Sequence, residues 1–298
     1  MTTNPLVSII TITYNRGDLI HRCIESIQRQ TYDNYEHIII DGNSTDNTKE
    51  IVESYNDTHI KYIKLDTRGP QVQMKAGSGI AKGKYVTFLD DDDEYLPEKI
   101  DKQVALFEKE PDDVGVVYCW MTYYKNDAPT VPVHIHKTEL KGFVGDIAPS
   151  RPLISGTPTM MIRREVFNEF GGTYDDSIGL IGSDWELMTR ICQKYKVDYV
   201  PESLVKVYED HGHKRLSTDF YRDKARKSIV YHNHFLKRFA SVFNRNPGFA
   251  EFHYERLCMN YCILNKRVNA LKYLRLFFYV SHKYSKSLKL LYHIILGK

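Results

Sequence analysis

Apolar positions in the first hundred residues alternate between two spacings. Leu6 to Thr13 (LVSIITIT), Tyr35 to Ile40, Ile60 to Leu65 and Lys84 to Leu89 read as short strands, the first as a buried one. Between them, Gly17 to Gln30 repeats Leu19, Ile20, Cys23, Ile24 and Ile27 on one helical face, and Thr45 to Tyr55 and Val72 to Ala81 also read as helices. A further helix follows from about Pro97 to Lys109. This β-α-β-α rhythm with short connections predicts an α/β fold, an open parallel sheet flanked by helices. Farther on, Val114 to Tyr124, Pro158 to Ile162 and Ser203 to Val207 read as strands, and Asp184 to Tyr195 as a helix. The stretch from Lys125 to Arg151, containing Pro and His, reads as irregular, and residues from about Phe220 onward read as all-helical.

The 298 residues, 42% hydrophobic, suffice for one large α/β domain, alone or with an appendage. The five cysteines are odd in number and scattered, which fits reduced thiols in a cytoplasmic protein rather than a disulfide framework. Cys258 and Cys262 lie one helical turn apart near His253 but lack a usual zinc ligand set, so buried thiols are expected. Met1 to Pro5 does not resemble a signal peptide, and no apolar run is long enough to span a membrane. The net charge of +3 conceals an asymmetry. Up to Asp210 there are 23 Lys and Arg against 34 Asp and Glu; from His211 there are 18 against 4. An acidic body with a basic tail points to an anionic partner surface, a membrane or a nucleic acid.

Ligands of open parallel sheets bind beyond the carboxyl ends of the strands. Asn15, Asp41 and the run Asp90 to Asp93 all fall at such ends. Four consecutive carboxylates call for a counter-ion, and a hard divalent cation bridging to phosphates is one answer. The other is a solvated loop that caps the helix beginning near Pro97. No Gly-x-Gly-x-x-Gly follows the first strand and no Gly-Lys-Ser/Thr loop occurs, against a dinucleotide-binding dehydrogenase and a P-loop enzyme.

Several motifs, in order, carry a resemblance. They are Val7 to Arg16 (VSIITITYNR), Ile39 to Asp46 (IIDGNSTD), Gly79 to Tyr85 leading into Phe88-Leu89-Asp90-Asp91-Asp92-Asp93, then Gly156-Thr157-Pro158, Ile162 to Phe167 before Gly171-Gly172, and Ser183-Asp184-Trp185-Glu186-Leu187. Over roughly Pro5 to Ser217 the chain resembles the family 2 inverting glycosyltransferases of the GT-A fold. It departs from them at Ala76-Gly77, where the family often carries Arg-Asn, with Lys75 adjacent. It also lacks the Gln-x-x-Arg-Trp motif of processive polymerases after Asp184, which argues for addition of one sugar.

The basic helical region over 220–298 is read from the pattern and charge of the tail itself; the resemblance implies a Rossmann-like GT-A catalytic domain over residues 1–219, with a nucleotide-sugar half to about 110 and an acceptor half over 111–219. It implies Mn²⁺ or Mg²⁺ held by Asp92, with Asp90 nearer the ribose and the metal waters and Asp91 beside them. It gives Asp41 the uracil ring, with Thr13, Tyr14 and Asn15 lining the same pocket. Lys75 and Arg215 are expected near the donor, and His211, or His213 in the other register, as a further metal ligand. Asp184 is the implied general base, although an aspartate at a helix start is also an ordinary N-cap; Asp41 and Asp46 have the same capping alternative.

The implied activity is inverting transfer of one sugar from a UDP-sugar to a saccharide acceptor, lipid-linked, in surface polysaccharide or glycan assembly. A polyprenyl-phosphate sugar synthase is the alternative, which requires Arg163 and Arg164 to face the site. Nucleic-acid binding, suggested only by tail charge and not expected, and non-catalytic sugar binding are alternatives of other classes. Asn269 to His282 (NALKYLRLFFYVSH) reads either as an interfacial helix on anionic membrane or as an appendage packing its apolar stripe onto the body.

Overall fold

The computed structural model describes residues 4–154, 156–172, 175, 178, 182–210, 212 and 221–296. The continuous apolar runs become enclosed strands: β1 (Val7–Thr13), β2 (Tyr35–Asp41) and, after β3 (Ile60–Lys64), β4 (Tyr85–Phe88). They pair in parallel in the order β3-β2-β1-β4. Helices α1 (Ile20–Gln28), α2 (Thr48–Ser54) and α3 (Pro70–Ile80) return the chain between them. α1 buries Ile20, Cys23, Ile24 and Ile27, the stripe its spacing predicts. Each such aliphatic side chain contributes about 1.5–3 kcal/mol relative to exposure. α3 approaches the sheet closely, because a Cβ on Gly77 would stand 2.8 Å from Ile10 Cγ2. Gly77 thus serves helix–sheet contact.

β5 (Glu94–Tyr95), α4 (Lys99–Phe107), β6 (Val114–Lys125), β7 (Ala128–His136), β8 (Met160–Arg163), α5 (Arg164–Glu169), α6 (Ser183–Cys192) and β9 (Lys196–Glu209) follow. β8 lies antiparallel between β4 and β6, β9 runs parallel to β6, and β5 and β7 attach antiparallel to β9 and β6. The nine-stranded sheet of the described residues is wholly parallel in its first half and mixed in its second. β7 corrects the irregular reading of 125–151: Val131, Val133 and Ile135 alternate with Pro132, His134 and His136, but the mostly exposed side chains and the prolines Pro129 and Pro132 read as loop. Pairing with β6 makes it a strand.

The chain divides into two compact units. The first comprises Met1–Val144, Leu153–Tyr174 and Arg190–His213 and contains the sheet. The second takes Gly145–Pro152, Asp175–Thr189 and Lys214–Lys298. It holds α7 (Tyr221–Arg238), α8 (Ala240–Arg245), α9 (Glu251–Ile263), α10 (Arg267–Ser281) and α11 (Tyr284–Leu296). One core cluster of this unit joins Leu257, Cys258, Ala270, Phe277, Leu290 and Ile294. All five cysteines are buried and free.

Three buried histidines set an acid limit on stability. His37 Nε2 lies 3.0 Å from Thr11 Oγ1. His253 Nε2–H donates to Pro149 O at 2.7 Å, which leaves its Nδ1 to accept from His232 Nδ1–H at 3.0 Å. Burial depresses all three, His37 to about 3, His232 to about 2 and His253 to about 4. A depressed histidine contributes stability that is present above its unfolded value and lost as pH falls toward the folded one. Between roughly pH 6.5 and 4 each neutral histidine therefore costs up to about 1.4 kcal/mol per pH unit. Thermal melts from pH 7.5 to 5 are expected to show a falling Tm, and His37→Gln a shallower fall. An unchanged slope would exclude this origin.

Candidate active site

The site is built where β1, β2 and β4 end. Thr13 is paired with Asp41, and Leu89 N donates to Ile10 O at 3.1 Å, so the three strand ends lie side by side. Asn15 takes a positive φ of 49°, which an asparagine tolerates better than most residues and which turns the chain sharply out of β1. The turn is pinned to the loop after β2. Asn15 N donates to Ser44 Oγ at 2.8 Å, and Thr45 N to Asn15 Oδ1 at 2.8 Å. Gly17 N donates to Asp46 Oδ2 at 3.1 Å, so Asp46 ties the two loops together. Thr13 is buried, and its carbonyl accepts from Gln73 Nε2 of α3 at 2.9 Å. The Tyr14 ring lies under the Arg68 guanidinium, whose Cζ is 4.0 Å from the ring centroid. Arg68 gave no sequence signal, since it sits in a polar connection outside every motif.

Asp41 is fully buried. Its Oδ1 accepts from Ser44 N at 2.8 Å and Ser44 Oγ at 2.7 Å, and its Oδ2 from the Tyr62 hydroxyl. Both oxygens are thus engaged by the protein. Asp41 orders the loop under Asn15, with three of the about four acceptor sites of its carboxylate taken by the protein. Asp41→Ala is expected to lower Tm, because each buried donor left unpaired costs about 1–3 kcal/mol. Weakened UDP binding at unchanged Tm would instead favour direct contact with the base.

Beyond β4 the chain presents the acidic run. Asp90 is exposed, whereas Asp91, Asp92 and Asp93 are buried. One carboxylate oxygen from each of Asp90, Asp92 and Asp93 lies within 4.8 Å of the others. Arg16 Nη1 stands 3.3 Å from Asp92 Oδ2 and 4.0 Å from Asp91 Oδ1. Arg22 fixes the loop from below, donating to Asp92 O at 3.1 Å and to Asn126 Oδ1 at 2.8 Å, with Cζ 3.8 Å from the Tyr208 ring centroid. Burial, and then the adjacent Asp92 carboxylate, pushes Asp91 above the usual carboxylate range. Tyr208 N donates to Asp93 Oδ1 at 3.1 Å, so the carboxyl end of β9 meets the acidic loop. His211, His213, Lys214 and Arg215 lie outside the described residues. Lys75 is on the exposed side of α3, and among the described residues no ion pair or hydrogen bond ties it to this cluster.

The donor set is all oxygen, convergent and partly desolvated. Those properties fit a hard divalent cation.

Asp184 lies in the first turn of α6, which begins at Ser183, so it is inside the helix rather than at its N-cap. Its Oδ1 accepts from Trp185 N at 2.8 Å. Trp185 is anchored by Nε1–H to Ala148 O at 2.7 Å and by ring contact with Phe235 at 4.3 Å. Burial pushes Asp184 above its ordinary value, against the lowering effect of the Trp185 amide. A neighbouring set, Asp175, Glu186 and His234, also brings ligand atoms together, but Arg238 stands 3.3 Å from Asp175 and 3.2 Å from Glu186. That set carries its own cation.

Arg163 and Arg164 are at the other end of the sheet. Arg163 is buried and donates Nε–H to Val114 O at 2.8 Å; Arg164 donates to Gly83 O, ahead of β4, at 2.6 Å. The cationic acceptor pocket required of a polyprenyl-phosphate sugar synthase does not form from them.

Solved structures share this fold. S. aureus TarS in complex with UDP-GlcNAc superposes with a TM-score of 0.67 at 17% identity, covering 92% of this chain and 81% of that one. Mannosyltransferase PcManGT from Pyrobaculum calidifontis, with GDP-Man and Mn²⁺, gives 0.61 at 18% identity, covering 99% and 81%. The architecture is the GT-A fold of nucleotide-sugar-dependent glycosyltransferases. Residues 8–171, more than half of the chain, match the family model Glycosyl transferase family 2, and the chain belongs to that family. It is 39% identical over 120 residues to the UDP-Glc:alpha-D-GlcNAc-diphosphoundecaprenol beta-1,3-glucosyltransferase WfaP of Escherichia coli. That match takes in 40% of this chain and 46% of the relative, so the chain spans less than half of the relative's length.

Proposed function

We propose that this protein transfers one sugar from a UDP-sugar to a lipid-linked saccharide, with inversion at the anomeric carbon, in the assembly of a surface polysaccharide or glycan. The observation that carries the reading is the convergence of Asp90, Asp92 and Asp93 at the strand ends beside the Asn15 turn, with Arg16 against Asp92. Asp92 and Asp90 would hold Mn²⁺ or Mg²⁺, which when bound acts as a Lewis acid on the donor diphosphate. Arg16 adds positive charge where the nucleotide leaves. Tyr14, Asn15 and Arg68 form the wall against which the nucleoside rests, and Asp41 keeps that wall in place. Asp184 takes the proton from the acceptor hydroxyl as it attacks, from the face opposite the leaving group.

The acceptor class follows WfaP, named as a glucosyltransferase onto alpha-D-GlcNAc-diphosphoundecaprenol. The reading includes peripheral attachment to the membrane; no helix among the described residues is long and apolar enough to cross one. The purified chain, given Mn²⁺, a panel of UDP-sugars and a short-chain prenyl-diphosphate saccharide, should release UDP with one sugar of the panel and extend the acceptor by a single residue. Release without acceptor extension, or none with any donor, would overturn the reading.

A further inference from the structure

α10 and α11 each have two used faces, one toward the core and one toward the surface. α10 buries Ala270, Tyr273 and Phe277. Its opposite stripe carries Val268, Leu271, Phe278 and Tyr279, with Val268 82% and Tyr279 73% exposed. Lys272 and Arg275 are exposed on that same stripe, by helical spacing and by burial. α11 buries Leu290 and Ile294 and leaves Tyr284, Leu288, Tyr292 and Ile295 exposed, Leu288 at 66%. Those four recur at i, i+4, i+8 and i+11, one face of a helix. The Phe278 and Tyr284 rings meet edge to face at 5.0 Å, so the two stripes join. Isolated exposed apolar residues are ordinary, but a joined strip of this kind marks an interaction surface.

The charge around the strip has one sign. No Asp or Glu occurs after Glu255, while eight Lys and Arg follow from Lys266. Lys283 and Lys286 are paired with Glu251 and Glu255 at 2.5 and 2.7 Å. Lys272, Arg275 and Lys289 have no ion-pair partner among the described residues. A second copy laid face to face would bring these cations together, and a basic protein partner would be repelled. Leu, Ile and Tyr side chains bordered by unpaired cations match a layer of acyl chains beneath anionic headgroups.

We propose that the exposed faces of α10 and α11 together form a docking surface for anionic phospholipid, entered shallowly by Leu288, Tyr292, Ile295 and Tyr279 and held by Lys272, Arg275 and Lys289. The choice of a lipid surface over an acidic protein rests on the lipid-linked acceptor proposed above. The strip places the enzyme's attachment on these two helices rather than on the whole basic region.

The test uses the full chain and sucrose-loaded vesicles containing neither donor nor acceptor, so binding is read apart from catalysis. Co-sedimentation should be strong on phosphatidylglycerol–phosphatidylcholine vesicles, weak on phosphatidylcholine alone, and reduced by salt. Each cation near an anionic surface is worth about fivefold in partitioning. Lys272→Glu with Arg275→Glu should therefore lower binding by more than about 25-fold. Leu288→Ser with Tyr292→Ser should lower it on anionic vesicles at every salt concentration. Both double variants alter exposed positions only, and their circular dichroism and turnover of a water-soluble acceptor should match the wild type. Equal binding to both vesicle types would overturn the proposal, as would binding only when a lipid-linked saccharide is present, or wild-type binding by both variants. A concentration-dependent dimer abolished by Leu288→Ser with Tyr292→Ser, without vesicle binding, would assign the strip to self-association and overturn it. Vesicle binding without acceptor extension in the UDP-release assay would leave the surface standing and reject only the lipid-linked acceptor.

Discussion

Asp184→Asn is expected to lose about 10²- to 10⁴-fold in transfer rate, the usual contribution of a general base, while binding nucleotide-sugar as the wild type does. Asparagine keeps an oxygen that can accept from Trp185 N, so the local hydrogen bond at 2.8 Å survives the change. The anchoring of Trp185 to Ala148 O is independent of the substituted carboxyl. A merely structural aspartate would give a different pattern, a lower Tm with proportionate loss of binding and turnover. Burial raises this carboxyl above its ordinary value, so the ionised form is the costly one in the fold. The sign follows for both properties. Turnover should rise with pH through a value above the normal carboxylate range, because a base must be unprotonated. The stability associated with the protonated group is present at low pH and lost as pH rises through its folded value, so Asp184→Asn should not lower Tm at pH 8. Wild-type turnover in the variant, or a pH–rate profile unaltered by it, would show that another group takes the proton.

Asp92→Asn should remove Mn²⁺-stimulated UDP binding with little change in Tm. The neutral amide retains a hydrogen-bond acceptor for Arg16 but loses the charge that attracts a divalent ion to this loop. A ligand substitution is expected to cost at least the ~10–100-fold that altering even an outer partner of a metal site costs. The backbone carbonyl of Asp92 still accepts from Arg22 at 3.1 Å, so the loop keeps its anchor. Calorimetric titration of UDP with and without Mn²⁺ separates the loss of metal-linked binding from misfolding. Full transfer by the wild type in EDTA would exclude the role assigned to Asp92.

The two periods of apolar residues were enough to recover β1, β2, β4 and the helices between the strands, because a parallel strand covered on both faces must be apolar at nearly every position and an amphipathic helix must repeat near 3.6, whereas the edge strand β3 keeps Lys61 and Lys64 exposed beside Ile60, Tyr62 and Ile63. At β7 the alternation of Val131, Val133 and Ile135 was outweighed by Pro129, Pro132 and the polar neighbours, and pairing with β6 makes it a strand. The same division runs through the candidate site. That Asn15, Asp41 and Asp90 to Asp93 stand at strand ends was legible from local pattern, and the ordered motifs led to the family. Which of these carboxylates faces outward was not, because it depends on partners far along the chain. Tyr62 and Ser44 occupy Asp41, Arg16 and Arg22 hold the acidic loop, and Arg68 covers Tyr14. Arg163 and Arg164, inside one of the family motifs, turned away from the site because β8 runs antiparallel to β4 and places its last residue, Arg163, beside Tyr85 where β4 begins. Composition likewise revealed the basic excess after Asp210, but only packing separated the lysines paired with Glu251 and Glu255 from those left on the outer face. Periodicity and motif order are properties of neighbours in sequence; hydrogen-bond ownership and the outward face of a helix belong to neighbours in space, which only tertiary packing assigns.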